Sequence, residues 1–578
     1  MGGVEVQIKN VTGGLVPVIL GTILLIVVGC GGSADAPADS SSTGSQMPSD
    51  FETAAEAIRA EDLEEDIRQI SADETEGRSP ASEGDSMARA YMAQQLAAAG
   101  FSPGAEGGVW EQPFEMVGVS AAAPEVWSFD TGEQSVDLKW WDEYVATSGV
   151  QESSASISDA ELVFVGYGIQ APEYEWDDYK GLDVSGKVLV MLNNDPDWDP
   201  DLFAGERRLY YGRWTYKYEK AAEMGAVAAI IIHTTPSAGY PYQVVQGGWT
   251  GEQFELPAEG EARIQIVGWA AEDAARTLLA AAGHDLDSLV ESARSADFQP
   301  VPLGIETSID LDVTVRGVET ANVLGLLEGS DPELKDEVVI YSAHHDHLGI
   351  GEPNEAGDSI YNGARDNASG VAQVLAIARA FGSLSEPPRR SILVALVGAE
   401  EQGLLGSRYY ARHPTFAPGR MAANINFDSG NIWGRTADIV FVGYGKSSLD
   451  GVIETYAGQQ ERHVQGDQFP DRGFFYRSDQ FNFAKIGVPA MYIDGGTEIR
   501  GQEAGWGPEQ MEAWEAVHYH QPSDELTEDW VFDGMIEDAQ VGFRCGVHVA
   551  QSDEMPVWNA GDEFEAARLE ALAEVAGH

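Results

Sequence analysis

The sequence predicts an α/β protein with a mainly parallel, mixed sheet, into which a second, mostly β module is inserted. Two observations carry this reading. From Val338 to Ala550 short apolar runs alternate with helical stretches, and between about Glu161 and Gly268 the pattern changes to short buried runs with few helices. Repeated strand-then-helix units imply parallel strands joined by helical crossovers. The strands are read as Val338–Ser342, Ser391–Val397, Ala423–Phe427, Ile439–Val442 and Ala490–Ile493, with helices Val371–Phe381 and Leu404–Arg412 between them. Upstream, Asp310–Gly325 alternates like a strand and Ala270–Ala282 is helical. Ala54–Ile70 and Ser86–Ala99 keep helical spacing, and Gly100 caps the second. In the inserted stretch, Leu162–Val165, Lys187–Met191 and Ala228–Ile232 read as buried strands, with a helix over Tyr218–Met224. The Trp and Tyr residues between Trp176 and Tyr218 are expected to pack as core or rim.

Length and charge narrow the function. A chain of 578 residues exceeds one ordinary domain, and 43% hydrophobic content supplies ample core. With 95 acidic against 34 basic residues the net charge is −61, which argues against a nucleic-acid partner because phosphates would be repelled. Such a surface is heavily solvated, and screening at high salt would relieve its self-repulsion. The two cysteines, Cys30 and Cys545, do not make a disulfide framework, and Cys545 reads as a buried apolar residue.

The N-terminus carries an address. Gly14–Val28 is an uncharged apolar run, short for a membrane-spanning helix and suited to a signal peptide. Val27-Val28-Gly29-Cys30 resembles a bacterial lipobox, which implies acylation of Cys30, export, and lipid anchoring at the cell envelope. The Ser/Ala/Asp/Gly-rich stretch that follows reads as a flexible tether.

Chemistry concentrates in five segments: Ala343-His344-His345-Asp346-His347, Gly363-Ala364-Arg365-Asp366-Asn367, Gly398-Ala399-Glu400-Glu401-Gln402, Asn426-Phe427-Asp428 and His518-Tyr519-His520. Most follow an apolar run directly, where an α/β sheet delivers strand ends to a ligand crevice. Carboxylates mixed with imidazoles, without thiolates, suit a divalent metal such as zinc. The ligands suffice for two ions, which points to a hydrolase with paired metals.

Taken in order, these segments resemble the M28 family of zinc peptidases. The match runs through Ser342-Ala343-His344-His345-Asp346-His347-Leu348-Gly349, Asn362-Gly363-Ala364-Arg365-Asp366-Asn367-Ala368-Ser369-Gly370, Glu400-Glu401, Asn426-Phe427-Asp428 and Tyr519-His520. It extends to Asp73-Glu74-Thr75-Glu76-Gly77-Arg78 and to Phe475-Tyr476-Arg477-Ser478-Asp479. The resemblance implies a three-layer sandwich of the zinc exopeptidase type and two zinc ions. Asp366 would bridge them, His344 and Asp428 would complete one, and Glu401 and His520 the other. Glu400 would be the general base, and Asp346, on the same side of an extended segment as His344, would orient that imidazole. His345 and His347 compete with His344 as ligands, and His344 is preferred because Asp346 stands two residues on. A tyrosine, Tyr476, Tyr492 or Tyr519, would steady the oxyanion.

The implied organisation is a signal peptide (1–30), a linker (31–50), an N-terminal helical part of the catalytic domain (51–135), and an inserted module resembling a protease-associated domain (136–300). A catalytic core (301–550) and a tail helix (551–578) follow. The implied activity is peptide hydrolysis, with aminopeptidase preferred over carboxypeptidase, other amide hydrolysis or glutaminyl cyclisation. A catalytically dead binding protein is the least favoured reading.

Overall fold

The computed structural model describes residues 47–577 except 201, 239 and 355. The expected signal peptide, Cys30 and most of the linker lie outside them. Among the described residues no helix is long and apolar enough to cross a membrane.

The larger sheet is mixed, and its strand order is Glu111–Ala122, Val301–Leu327, Ser391–Val397, Val338–His344, Met421–Phe427, Ala490–Asp494, Asp438–Val442, His463–Gly466. Its four central strands, from Ser391–Val397 to Ala490–Asp494, are all parallel. Every residue of Val338–His344, Ser391–Val397 and Met421–Phe427 is buried, as expected of strands covered on both faces.

Side-chain alternation sorts these residues into two cores. Val339, Tyr341 and Ala343, with Ile392, Val394 and Leu396, pack against helices Ala60–Ile70, Glu83–Ala98, Ser369–Ser383 and Asp533–Gln551. Val338 and Ile340, with Leu393, Ala395 and Val397, pack on the other face with Tyr410 and Phe483, from helices Leu405–Arg412 and Gln480–Lys485. The result is helix, sheet, helix. The approach of the Asp533–Gln551 helix depends on glycine: a Cβ on Gly546 would stand 1.7 Å from the Tyr341 hydroxyl.

The inserted module has its own parallel run, Ser154–Phe164, Val188–Leu192, Ala228–His233 and Ile266–Ala271, with Tyr144–Ser148 antiparallel at the end. Its limits differ from the expected 136–300. Val117, Trp127 and Phe129 before that range, and Leu303 to Val313 after it, belong to the module's core. The boundaries fall inside continuous strands: Val301–Leu327 begins against Ser154–Phe164 and ends against Ser391–Val397. No loop-rich linker marks them. The expected tail helix forms over Glu565–Ala576 and packs on the core: Trp558, Phe564 and Arg568 are buried, and the Arg568 Nη1 donates to the Met421 carbonyl at 2.8 Å.

Candidate metal centre

The parallel strands aim their carboxyl ends at one crevice. His344 is the last residue of its strand, Asp428 is the first residue past Met421–Phe427, and Glu400 and Glu401 follow Val397 by three and four residues. Asp366 sits in the turn Ala364–Ala368, which leads into the Ser369–Ser383 helix. His520 follows the Trp506–His518 helix with φ 56, a left-handed conformation uncommon for a residue with a side chain.

The turn holding Asp366 is built by remote partners. The Asp524 carboxylate accepts from the Arg365 and Asp366 N–H groups at 2.9 and 3.1 Å, and the Asn367 amide ties the turn to the Phe427 carbonyl and the Ser429 N–H. Gly363 has φ 56, and a Cβ there would lie 2.5 Å from the His347 ring. Beneath the site the buried Arg78 guanidinium donates to the carbonyls of His345, Asn362 and Gly363 at 2.6–2.9 Å, pinning two site loops together. Burial pushes its pKa down to about 10 against the pull of Asp346, Asp524, Asp366 and Glu401.

Two donor groups share Asp366. On one side the His344 Nε2 lies 3.2 Å from Asp366 and 3.3 Å from Asp428. On the other the His520 Nε2 lies 3.3 Å from Asp366 and 3.2 Å from Glu401. His347 joins this second side: its Nδ1 is 2.7 Å from Glu401, and His347, Asp366 and Glu401 offer donor atoms within 4.8 Å of one another. The His347 Nε2 has no hydrogen-bond partner, and the His520 Nε2 lies close to both carboxylates without a well-aligned hydrogen bond to either. Imidazole nitrogens and carboxylate oxygens converging this closely, with ring nitrogens left over, fit a zinc-type cation and no thiolate metal.

The electrostatics agree. Burial disfavours a charged His344, yet Glu400 and Asp428 hold its pKa well above the ordinary value. Burial also opposes His520, but Asp366 and Glu401 raise it to about 10. Asp366 is held well below the carboxylate range despite burial, through His344 and His520. Glu400, buried beside Glu401 and Asp428, is pushed well above it, although His344 pulls it down. A field this negative in a buried crevice calls for positive charge.

The sequence-predicted residues His344, Asp366, Glu400, Glu401, Asp428 and His520 therefore meet in one crevice. Two details differ from the sequence reading. His347, ranked behind His344, stands at the site too, while His345 turns away to the Ala321 carbonyl at 3.2 Å. The Asp346 carboxylate is 3.8 Å from the His344 ring and instead accepts from the Glu400 and Glu401 N–H groups at 2.9 and 3.3 Å. The main-chain carbonyl of Asp346 is the group within 3.3 Å of His344 Nδ1. Among the tyrosines, Tyr476 donates to Glu563 at 2.6 Å and Tyr492 to the Asp428 carbonyl at 2.8 Å. Tyr519 stacks on His520 with ring centroids 3.9 Å apart and, among the described residues, its hydroxyl has no hydrogen-bond partner.

Comparison with known proteins places these features in context. Residues 322–541 match the model of Peptidase family M28. Over 222 residues the chain is 31% identical to leupeptin-inactivating enzyme 1 of Streptomyces exfoliatus, covering 37% of this chain and 45% of that protein. Over 111 residues it is 37% identical to aminopeptidase NAALADL1 of Mus musculus, covering 18% and 13% respectively. The chain thus spans less than half the length of either relative. Among solved structures, an aminopeptidase from Aneurinibacillus sp. strain AM-1 aligns over 87% of this chain and 97% of its own, at 19% identity and a TM-score of 0.49.

Proposed function

We propose, from the match of residues 322–541 to the model of Peptidase family M28, that this protein is a zinc-dependent exopeptidase of that family, an aminopeptidase that removes N-terminal residues from peptides. The observation that carries the reading is the pair of donor groups sharing Asp366. His344, Asp366 and Asp428 would hold one zinc ion, and Asp366, Glu401 and His520 the other, with His347 beside Glu401. Zinc bound there would supply Lewis-acid activation of water and of the scissile carbonyl.

The chain's own residues account for the remaining chemistry. Glu400 lies outside the two donor sets that share Asp366, although its carboxylate also comes within reach of His344 and Glu401, and its raised pKa suits a group that takes a proton from water and returns it to the leaving amine. Asp346 fixes the Glu400–Glu401 backbone, so that one side chain can face the metal site and the other the substrate. Tyr519, whose ring stacks on that of His520, would donate its hydroxyl to the developing oxyanion. The aminopeptidase assignment is supported by the name of the mouse relative and by the acidic crevice, which attracts a free amine. Export on a lipidated Cys30 is part of the same reading and rests on the lipobox-like sequence; mass spectrometry finding unmodified Cys30 in membrane fractions would refute it.

The test is Glu400→Gln. Hydrolysis of aminoacyl p-nitroanilides is expected to fall roughly 10²–10⁴-fold with zinc content retained. Loss of zinc as well would make Glu400 a ligand and reverse the roles of the pair.

A further inference from the structure

The fold holds the site residues unequally. His344, Glu401 and Asp428 stand at or just past strand ends, and their side chains are 1%, 5% and 16% exposed. The His520 side chain is 33% exposed, and it follows a helix, Trp506–His518, in which only Gly507 is buried. Its φ of 56 is a conformation that a residue with a side chain keeps only when its surroundings impose it. Packing of the preceding helix is too slight to do so.

Asp524, four residues on, supplies the hold. Its carboxylate is 1% exposed; one oxygen accepts from the Arg365 N–H at 2.9 Å and the other from the Asp366 N–H at 3.1 Å. Its main-chain carbonyl accepts from the Ala364 N–H at 3.1 Å. The loop between His518 and Asp524 is closed on itself. The Gln521 N–H donates to the His518 carbonyl and the Asp524 N–H to the Gln521 carbonyl, each at 3.0 Å, and the His518 Nδ1 lies 2.9 Å from the Ser523 carbonyl. A second tie precedes His520. The Arg365 guanidinium lies 4.5 Å from the ring of Trp514, on the Trp506–His518 helix, and 5.0 Å from that of Trp433. His520 is thus bracketed, at Trp514 and at Asp524, by contacts to the short run Ala364–Asp366 that ends in the carboxylate beside it.

Among the described residues the Asp524 carboxylate has no ion-pair partner, and its hydrogen-bond donors are those two main-chain N–H groups. Each N–H takes its own oxygen, so an amide at 524 would leave one of them facing an NH2 group. We infer that Asp524 is a positioning residue that locks His520 to Asp366, so that the two receive their metal ion as one preformed unit. This rests on the zinc reading given above and deepens it. His344 and Asp428 keep their places on the sheet whatever stands at 524, so the two zinc ions depend on Asp524 unequally.

The test compares wild type with Asp524→Asn, Trp514→Leu and Asp178→Asn. The last alters an equally buried carboxylate that accepts from the Ile169 N–H and the Trp176 indole in the module. Zinc affinities are resolved by competition with a chelator. Of the two ions, one should weaken roughly 10–100-fold in Asp524→Asn, the range for a group that orients a ligand, and the other by less than about threefold. Trp514→Leu should weaken the same ion by roughly threefold or more. Asp178→Asn should leave both affinities unchanged, whatever it does to stability. In metal-free protein, amide hydrogen exchange in segments 364–368 and 518–524 should quicken together, roughly 10–100-fold, in Asp524→Asn and not in Asp178→Asn. Zinc affinities unchanged in both Asp524→Asn and Trp514→Leu, or two affinities that fall equally, overturn the coupling. Exchange that quickens in 364–368 alone overturns it too. Wild type that binds no zinc, with exchange in the two segments still linked through Asp524, sinks the metal reading and leaves the lock standing.

Discussion

In the inserted module, Asp178 and Asp195 are buried beside Lys217. Their oxygens accept from the Ile169, Trp176 and Leu209 N–H groups, while the Lys217 Nζ donates to the Tyr167 and Asn194 carbonyls. In the metal crevice, buried carboxylates converge on one another and on the imidazoles of His344, His347 and His520, and the outer nitrogen of His347 has no partner. Both regions hold acids in low dielectric. The first sets them beside one buried lysine, whose own pKa burial pulls down to about 7, and beside backbone donors, and gains structure. The second leaves them under-compensated, and under-compensated charge is what binds a metal and tunes a base.

The largest effect that would break this contrast is in the module. Lys217→Met is expected to destabilise the protein by about 3–5 kcal/mol at pH 8, because it strands two buried carboxylates. Burial pushes Asp178 and Asp195 up to about 7, so the loss should shrink as pH falls from 8 toward 5 and they protonate. Chemical denaturation at the two pH values checks this, and a pH-independent loss would make Lys217 a packing residue only.

Next is Tyr519→Phe. Removing one oxyanion donor should lower kcat roughly 10²–10³-fold without unfolding the protein. The same change at Tyr492, whose hydroxyl is committed to a main-chain carbonyl, should act mainly on stability. Steady-state kinetics on both variants separates them.

His345 supplies a smaller effect, visible in acid. Burial pushes its imidazole from 6.5 down to about 4. Between those values the unfolded chain binds the extra proton, so stability is present in full above pH 6.5 and is lost as pH falls toward 4. The span corresponds to about 3 kcal/mol. His345→Gln should flatten that limb of the stability–pH curve, and an unchanged limb would assign acid lability elsewhere. The smallest effect is Tyr476→Phe, about 1 kcal/mol of stability from one lost hydrogen bond to Glu563, with kcat little changed.

The sequence was most legible where chemistry and period coincide. Val338–His344 and Ser391–Val397 are continuous apolar runs ending at polar residues, so both the parallel sheet and the strand-end positions of His344, Glu400 and Glu401 could be read from them. What escaped depends on contacts between distant segments. His347 lies past the strand in an irregular stretch, where spacing does not fix direction. Asp524 and Arg78 act on backbone groups more than 150 residues away, and no local pattern encodes that. The module's limits have no local signal at this junction, because Val301–Leu327 runs through it as one strand, without a change of composition to mark it.

The central claim is that the shared carboxylate Asp366 holds two zinc ions that the reaction needs. It is tested most directly by stripping the protein with a chelator, then titrating zinc while measuring metal content and leucyl p-nitroanilide hydrolysis in the same sample. Hydrolysis is predicted to vanish on stripping and to return in step with zinc, saturating at about two ions per chain. Hydrolysis that survives stripping, or saturation at a single ion, would contradict it.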